Sequence, residues 1–176
     1  MATAIITALA ALSAVFLTNY QNIKRLEKEH ELRSKNDKQK LLTERGEELY
    51  ELLDKWLDEF TYDYLRLNLL LKNEITYDQY HERVISEGSK GIPNFGRIEI
   101  LVYLYFPDIL DNYNKLLTIR KERNRVVFSH KRNYNNRNMD GTKFIKPLEK
   151  LHLDLDKAGE NLKEKIVEAV KSLENR

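Results

Sequence analysis

The sequence predicts an all-α protein in which a single N-terminal transmembrane helix precedes an antiparallel helical bundle. Three observations lead to this fold class. Residues 2–17 form an apolar run without a charge. Beyond residue 20, apolar residues recur at steps of three and four, and no stretch sustains the period-two alternation of a half-buried strand. The 176 residues include six glycines, three prolines and no cysteine, which excludes a turn-rich β protein and a disulfide framework.

The N-terminal run, ATAIITALAALSAVFL, approaches the length of about 20 residues that a membrane-spanning helix needs. Tyr20 suits the interfacial end of such a helix. Two alternatives fit less well. A signal peptide carries Lys or Arg before its apolar core and a small-residue cleavage site after it, whereas the A-x-A motif at Ala8–Ala10 lies inside the run. A buried core helix usually shows a polar face, and this run has none.

Flanking charge sets the predicted orientation. Residues 18–45 contain eight Lys or Arg, and none precedes the apolar run. The positive-inside rule then predicts a single-pass protein of the plasma (inner) membrane, with the lipid bilayer as a partner and the C-terminal part in the cytoplasm. The predicted domains are a transmembrane anchor over 1–20, a basic juxtamembrane helix or linker over 21–40, and a cytoplasmic helical bundle over 41–176.

Two helices are predicted in the first half of the bundle. Apolar residues spaced three and four apart over 41–71 indicate a long amphipathic helix. Thr76 followed by Gln79 is typical of a capping box, which opens a short helix to about Ser86. The glycines and proline over 87–93 indicate a loop.

The second half begins with the apolar run IEILVYLYF, within residues 94–106. This run fits a strand or a buried helix, and we favour the helix because no second strand exists to pair with it. Pro107 suits the first position of a helix that continues to about His130. An Asn-rich loop over 133–138 then leads to a last helix over 147–174. Its leucines at heptad spacing fit a coiled coil, but so few heptads are more typical of an antiparallel bundle.

Charge is distributed unevenly along the predicted bundle. Residues 44–82 hold eleven acids and four bases, a local net charge of −7, and residues 111–150 hold eleven bases and four acids, a local net charge of +7. One interpretation is that the two segments lie against each other and neutralise. The other is that the basic segment meets a phosphate-bearing partner.

The motifs of the common catalytic folds are absent: there is no G-x-x-x-x-G-K-[ST], no G-x-G-x-x-G and no G-x-S-x-G. With no cysteine and four scattered histidines, we predict no metal site and no cofactor. One spacing is chemically suggestive. Arg123 and His130 are seven positions apart, so a helix places both on one face, about 10.5 Å apart along its axis. One phosphate would meet a fixed cation and an imidazole there.

This stretch, Arg123-Asn124-(five residues)-His130, resembles the R-x(4–6)-H motif of the HEPN superfamily, in which a polar residue, often Asn, follows the Arg. The helix order over 40–174 is also similar. The resemblance implies an all-α bundle that dimerises, and a metal-independent RNase in which the His and Arg of two protomers form one cleft. Arg123, Asn124 and His130 are then the expected catalytic residues. In the alternative interpretation, His130 is a polar helix-end residue and the arginines belong to a solvated basic face.

Two functions of different classes follow from these features. The first is a single-pass membrane-anchored helical bundle that acts through protein contacts, with a homodimer or another protein as partner. The alternative is a membrane-tethered, HEPN-like, metal-independent endoribonuclease of a toxin or phage-defence type, for which RNA is the partner. A third function, a holin-like pore-forming effector, is weakened because one short apolar segment would have to oligomerise to breach a bilayer. Whether the chain is an enzyme stays open.

Overall fold

The structure, a computed structural model, is helical over almost all the residues that it describes, and those residues contain no strand. It describes the backbone of residues 2–88 and 95–174, and the side chains of residues 16–86 and 95–172. The helices are α1 (Ala2–Leu71), α2 (Tyr77–Gly88), α3 (Phe95–Tyr105), α4 (Leu110–Asn135) and α5 (Thr142–Glu174), with a 3-10 turn at Pro107–Ile109 between α3 and α4. The predicted all-α class is therefore confirmed.

The chain divides into two compact units, residues 1–42 and residues 43–176. In the first unit, the side chains from residue 16 to residue 38 are exposed. No helix within the described residues is both long enough and apolar enough to cross a membrane. The side chains of residues 1–15, which form most of the predicted anchor, lie outside that description, so the anchor and the domain limits at residues 20 and 40 stay predictions.

The turn between α1 and α2 follows the signals in its sequence. After α1 ends at Leu71, Asn73 adopts a left-handed conformation (φ 59°), and its amide donates to the carbonyl of Leu70 over 3.0 Å. Asparagine tolerates this conformation better than most residues. The capping box then opens α2, because the amide of Thr76 donates to Oε1 of Gln79 over 2.9 Å and the amide of Gln79 donates back to Oγ1 of Thr76 over 3.3 Å. The predicted start of this helix is confirmed.

The apolar run of residues 95–105 is a helix, as favoured, and not a strand. Only one of its faces is buried, however: Ile98, Leu101 and Val102 enter the core, and the rest of the run is half or fully exposed. The prediction of a wholly buried helix was wrong in this respect. The predicted loop over 87–93 lies mostly outside the described residues.

The later helices are longer than the sequence predicted. Pro107 opens the 3-10 turn, so α4 begins three residues later and continues to Asn135 rather than His130. The last helix begins at Thr142 and holds Pro147 in its second turn. Helix α4 is antiparallel to α5, since Asn112 donates to Asn161 over 2.7 Å near one end and Val126 lies beside Phe144 in one groove near the other.

Helix α5 is also antiparallel to the part of α1 in the second unit. Lys163 bonds Asp54 over 2.9 Å, and His152 stacks on Tyr64 with ring centroids 4.1 Å apart. Buried leucines from both helices fill the space between them. One core cluster lies around Leu53 and Leu155, and a second lies around Leu70 and Leu148. An antiparallel bundle is therefore what the described residues 43–88 and 95–174 form.

The α4–α5 loop is fixed against the end of α1. Gly141 is buried, and a Cβ atom at this position would lie 2.6 Å from the Cα of Leu71 and 2.8 Å from its carbonyl carbon. Because the neighbouring atoms are backbone, only glycine fits there. This contact holds the C-terminal half of α4 beside α1 and α2, where the predicted site residues lie.

Candidate functional site

The predicted site residues occupy the middle and the second half of α4. Arg123 is 4% exposed and His130 is 2% exposed, so both enter the interior. Their seven-residue spacing predicts the shared face of α4 but not its burial. Asn124 is half-buried and lies one helical step round from them, in a different environment. The solvated basic face and the polar helix end, which were the alternative interpretations, are wrong for Arg123 and His130.

Arg123 is neutralised inside the bundle by a carboxylate from α1. Its Nη2 donates to Oδ2 of Asp63, and its guanidinium carbon lies 4.9 Å from the ring centroid of Phe60. The other oxygen of Asp63 accepts a 2.6 Å hydrogen bond from the hydroxyl of Tyr80, on α2. Burial, followed by the neighbouring Asp63 charge, raises the pKa of Tyr80, so the phenol stays a donor. Three helices therefore meet at one carboxylate.

His130 contacts α2 through a second tyrosine. Its Nδ1 lies 2.8 Å from the hydroxyl of Tyr77, the two rings stack at 5.6 Å, and Phe144 approaches the imidazole edge-on at 5.3 Å. Burial raises the pKa of Tyr77 to about 12 and lowers the pKa of His130 below its usual value. The imidazole is therefore neutral at pH 7. Its Nε2 has no hydrogen-bond partner among the described residues.

Arg123 and His130 belong to one aromatic cluster, but no hydrogen bond or ring contact between them occurs in the described part of the chain. Their partners Tyr80 and Tyr77 are neighbours on α2, with ring centroids 6.3 Å apart. Asn124 is separate, since it lines a pocket between α3 and α4. The structure thus brings two of the three predicted site residues into one buried network and leaves the third outside it.

Sequence reasoning missed the partners that complete this network: Asp63, Tyr77 and Tyr80. Asp63 precedes Arg123 by 60 positions, and Tyr77 precedes His130 by 53. Asp63 lies in an acid-rich helix, and the tyrosines fit the helical spacing of core residues. No local signal distinguishes them, because their role depends on tertiary contacts between α1, α2 and α4.

The predicted neutralisation of the acidic and basic segments occurs at one point only. Of the eleven bases in residues 111–150, nine are exposed, Arg120 is half-buried and Arg123 is buried. Arg123 is the one that forms an ion pair with an acid of residues 44–82 within the described structure. The remaining cations leave a positively charged surface, so this interpretation was wrong for most of the segment.

Comparisons with protein-family models, with curated proteins and with solved structures found no match. Among the described side chains, no group of three His, Asp or Glu residues is placed to hold a metal ion. The geometry consists of an Arg–Asp–Tyr and a His–Tyr contact between α1, α2 and α4, and of an exposed cationic surface on the outer side of α4.

The buried His130 predicts how stability depends on pH. Its pKa is lowered in the folded chain, so below about pH 6.5 the unfolded chain binds a proton that the folded chain does not. The contribution of His130 to the free energy of unfolding should therefore be fully present above this pH. It should decrease as the pH drops, by up to about 1.4 kcal/mol per pH unit. Urea unfolding of the 176-residue chain at pH 8, 6.5 and 5.5 measures it.

The variant His130→Asn should flatten this part of the profile, whereas His30→Asn, at an exposed histidine of the first unit, should not. Titration of Glu48 does not affect stability in this pH range. Hydrogen bonds from Arg97 and Arg45 lower its pKa to about 2, so its contribution is lost only below about pH 4.5. An unchanged slope in His130→Asn would contradict the assignment.

Proposed function

We propose that this chain is a membrane-tethered helical-bundle module that works through protein contacts, and that its first partner is a second copy of itself. The observation that carries the proposal is the outer face of α3. Ile100 and Tyr103 are half-exposed there, and Leu104 is 70% exposed. Their spacing of three and four positions puts them in one stripe on the side of α3 opposite its buried face.

The stripe on α3 is apolar along its length. Residues 100–106 carry no charge, so the stripe has no ionic group to keep it hydrated. A contiguous exposed apolar face on a soluble surface marks a site of association, because covering it removes apolar area from water. Two copies of α3 related by a two-fold axis and packed antiparallel would place apolar side chains on apolar side chains without opposing like charges.

The tether is the apolar run of residues 2–17. An uncharged run of this length followed by eight Lys or Arg over 18–45 supports a single span with the bundle in the cytoplasm. A tether of this kind would also favour association, since it confines the copies to one surface and raises their effective concentration.

Self-association through α3 can be measured by analytical ultracentrifugation of the 176-residue chain in detergent. The wild type should dimerise, and Leu104→Glu should raise the dimer dissociation constant by at least about tenfold, because the carboxylate would be buried without a partner. Leu153→Glu is the matched control, since Leu153 is 61% exposed on α5, and it should behave as wild type. A monomeric wild type, or a Leu104→Glu variant that dimerises normally, would contradict the proposal.

The tether predicts a topology. A reporter that is active only in the cytoplasm, fused after Arg176, should be active, and one that is active only outside the cytoplasm should be silent, because the flanking cations follow the apolar run. Deleting residues 2–17 should release the chain from the membrane fraction. Activity of the external reporter, or membrane recovery of the deletion variant, would count against a tether at this segment.

The endoribonuclease suggested by the HEPN-like motif is the second candidate. One observation favours it: Nε2 of His130 lacks a hydrogen-bond partner among the described residues, so an atom suited to proton transfer is uncommitted. Burial is the argument against it. Arg123 and His130 are almost inaccessible, and Asp63 and Tyr77 occupy the groups that would meet a phosphate.

An RNA cleavage assay in excess EDTA separates the two functions. Under the protein-contact proposal, a fluorogenic RNA oligonucleotide stays intact in the presence of the wild-type chain. The nuclease requires cleavage that falls by roughly 10²–10⁴-fold in His130→Asn, since a positioned acid–base group contributes that much. Arg132→Gln, at an exposed arginine two positions from His130, is the control that should retain any such activity.

A further inference from the structure

A pocket of about 430 Å³ lies between the start of α3 and the middle of α4, outside the buried network. No acidic side chain lines it. The lining side chains are three cations, one amide and three apolar groups. The cations are Arg120, Lys121 and Arg125, the amide is Asn124, and the apolar groups are Phe95, Leu117 and Phe128. A volume of this size falls in the range of small-molecule sites. The pocket therefore combines positive charge with aromatic side chains.

Arg120 is the fixed cation of the pocket. Its guanidinium carbon lies 4.3 Å from the ring centroid of Phe95 and 5.8 Å from that of Trp56. The two rings hold a half-buried side chain in place without neutralising it, and no acidic partner contacts it among the described residues. Guanidinium groups stacked in this way keep their N–H edges available for a bidentate anion. An anion is thus the partner that Arg120 lacks.

Lys121 and Arg125 add positive charge at the same opening. Both are exposed, and Lys121 contacts no acid among the described residues. Arg125 pairs with Glu122 across one helical turn, an exposed contact that contributes about 1 kcal/mol at most. A phosphate group entering the pocket would therefore meet Arg120 and Lys121 first and would compete readily for Arg125.

Phe128 is the exposed aromatic ring of the pocket. The ring is 69% exposed, although its size would normally favour burial. An uncovered aromatic ring beside cations is what proteins use to stack a nucleobase while the phosphate is held nearby. The amide of Asn124 supplies one acceptor and two donors for the polar edge of such a base.

We propose that this pocket binds a nucleotide unit, with its phosphate at Arg120 and Lys121 and its base on Phe128. The unit has two sources, a free mononucleotide or one position of a single-stranded nucleic acid. The site uses none of the residues in the α3 stripe and, of the HEPN-like motif, Asn124 but neither Arg123 nor His130. Its test is therefore independent of self-association, and a deoxyribonucleotide ligand keeps it separate from RNA cleavage.

The test is fluorescence anisotropy of the 176-residue chain with a labelled single-stranded oligodeoxythymidylate of about twelve nucleotides, a length in the range of known single-strand sites. The deoxyribose of this oligonucleotide has no 2′-hydroxyl, so cleavage by 2′-hydroxyl attack cannot occur while binding is measured. Unlabelled AMP and inorganic phosphate are the competitors. If AMP displaces the oligonucleotide and inorganic phosphate does not, the ligand is the nucleotide unit. If AMP does not displace the oligonucleotide but its binding still depends on Phe128, the source is the polymer.

Three variants test the residues. Phe128→Ala and Arg120→Gln should each weaken binding by about tenfold or more, as loss of a stacking platform or of the fixed cation requires. Lys121→Gln should weaken it several-fold and reduce the salt dependence by about one phosphate contact. Phe128 and Lys121 are exposed, so these two variants keep the test valid if Arg120→Gln fails to fold. Lys157→Gln, at an exposed lysine of α5 outside the pocket, and Leu104→Glu should bind as wild type.

Several outcomes overturn the proposal. One is no binding of the oligonucleotide or of AMP at low salt. Another is binding that Phe128→Ala, Arg120→Gln and Lys121→Gln leave unchanged. Displacement by inorganic phosphate as effective as that by AMP, with no effect of Phe128→Ala, would reduce the pocket to a general anion site. Recruitment to phosphatidylglycerol vesicles through the same cations, without nucleotide binding, would assign the surface to the membrane instead.

Discussion

A guanidinium group inside a helical bundle needs an anion beside it, because an unpaired buried charge costs several kcal/mol. Arg123 meets this constraint through Asp63, and Asp63 in turn accepts a hydrogen bond from Tyr80. The pair fixes which turn of α4 lies against which turn of α1, and the tyrosine adds α2 to the same point. Apolar packing is not directional, whereas the ion pair and its hydrogen bond require this register.

The inward direction of Arg123 also determines what the other residues of α4 can do. Successive residues on a helix are about 100° apart, so Lys121 and Arg125, four positions apart, lie together on the face of α4 opposite Arg123, and Arg120 lies between that face and the interior. With Arg123 in the interior and Arg120 half-buried, the other nine cations of the basic segment face solvent. The same helix thus contributes a neutral, hydrogen-bonded core face and a positively charged outer face. The proposals for α3 and for the pocket concern surfaces, whereas the HEPN-like motif lies in the interior.

Local sequence signals predicted the elements well where the chemistry was itself local. The capping box of Thr76 and Gln79 and the helical spacing of α1 and α5 depend on contacts within a few positions, and the structure contains them. The apolar run of α3 was less informative, since its composition did not reveal that only one face would be covered. Which face is covered depends on where α1 and α4 lie, and no pattern inside an eleven-residue helix contains that.

The site residues show the same limit. The seven-residue spacing of Arg123 and His130 places them on one face of α4, and both do enter the interior. The spacing could not show that Asp63 would bond Arg123 or that Tyr77 would bond His130, because those partners come from distant parts of the chain. The pairing of the acidic and basic segments failed for a related reason: net charge over forty residues does not say which side of a helix carries it.

The close approach of Gly141 to the backbone of Leu71 has a consequence for protein engineering. The loop between α4 and α5 is short, rich in asparagine and exposed before this glycine, so it looks like a suitable place for an epitope tag or for new chain termini. Its last residue, however, is seated against α1 with no room for a side chain. Insertions belong among residues 136–139, and a permuted chain opened there would keep the glycine joined to α5.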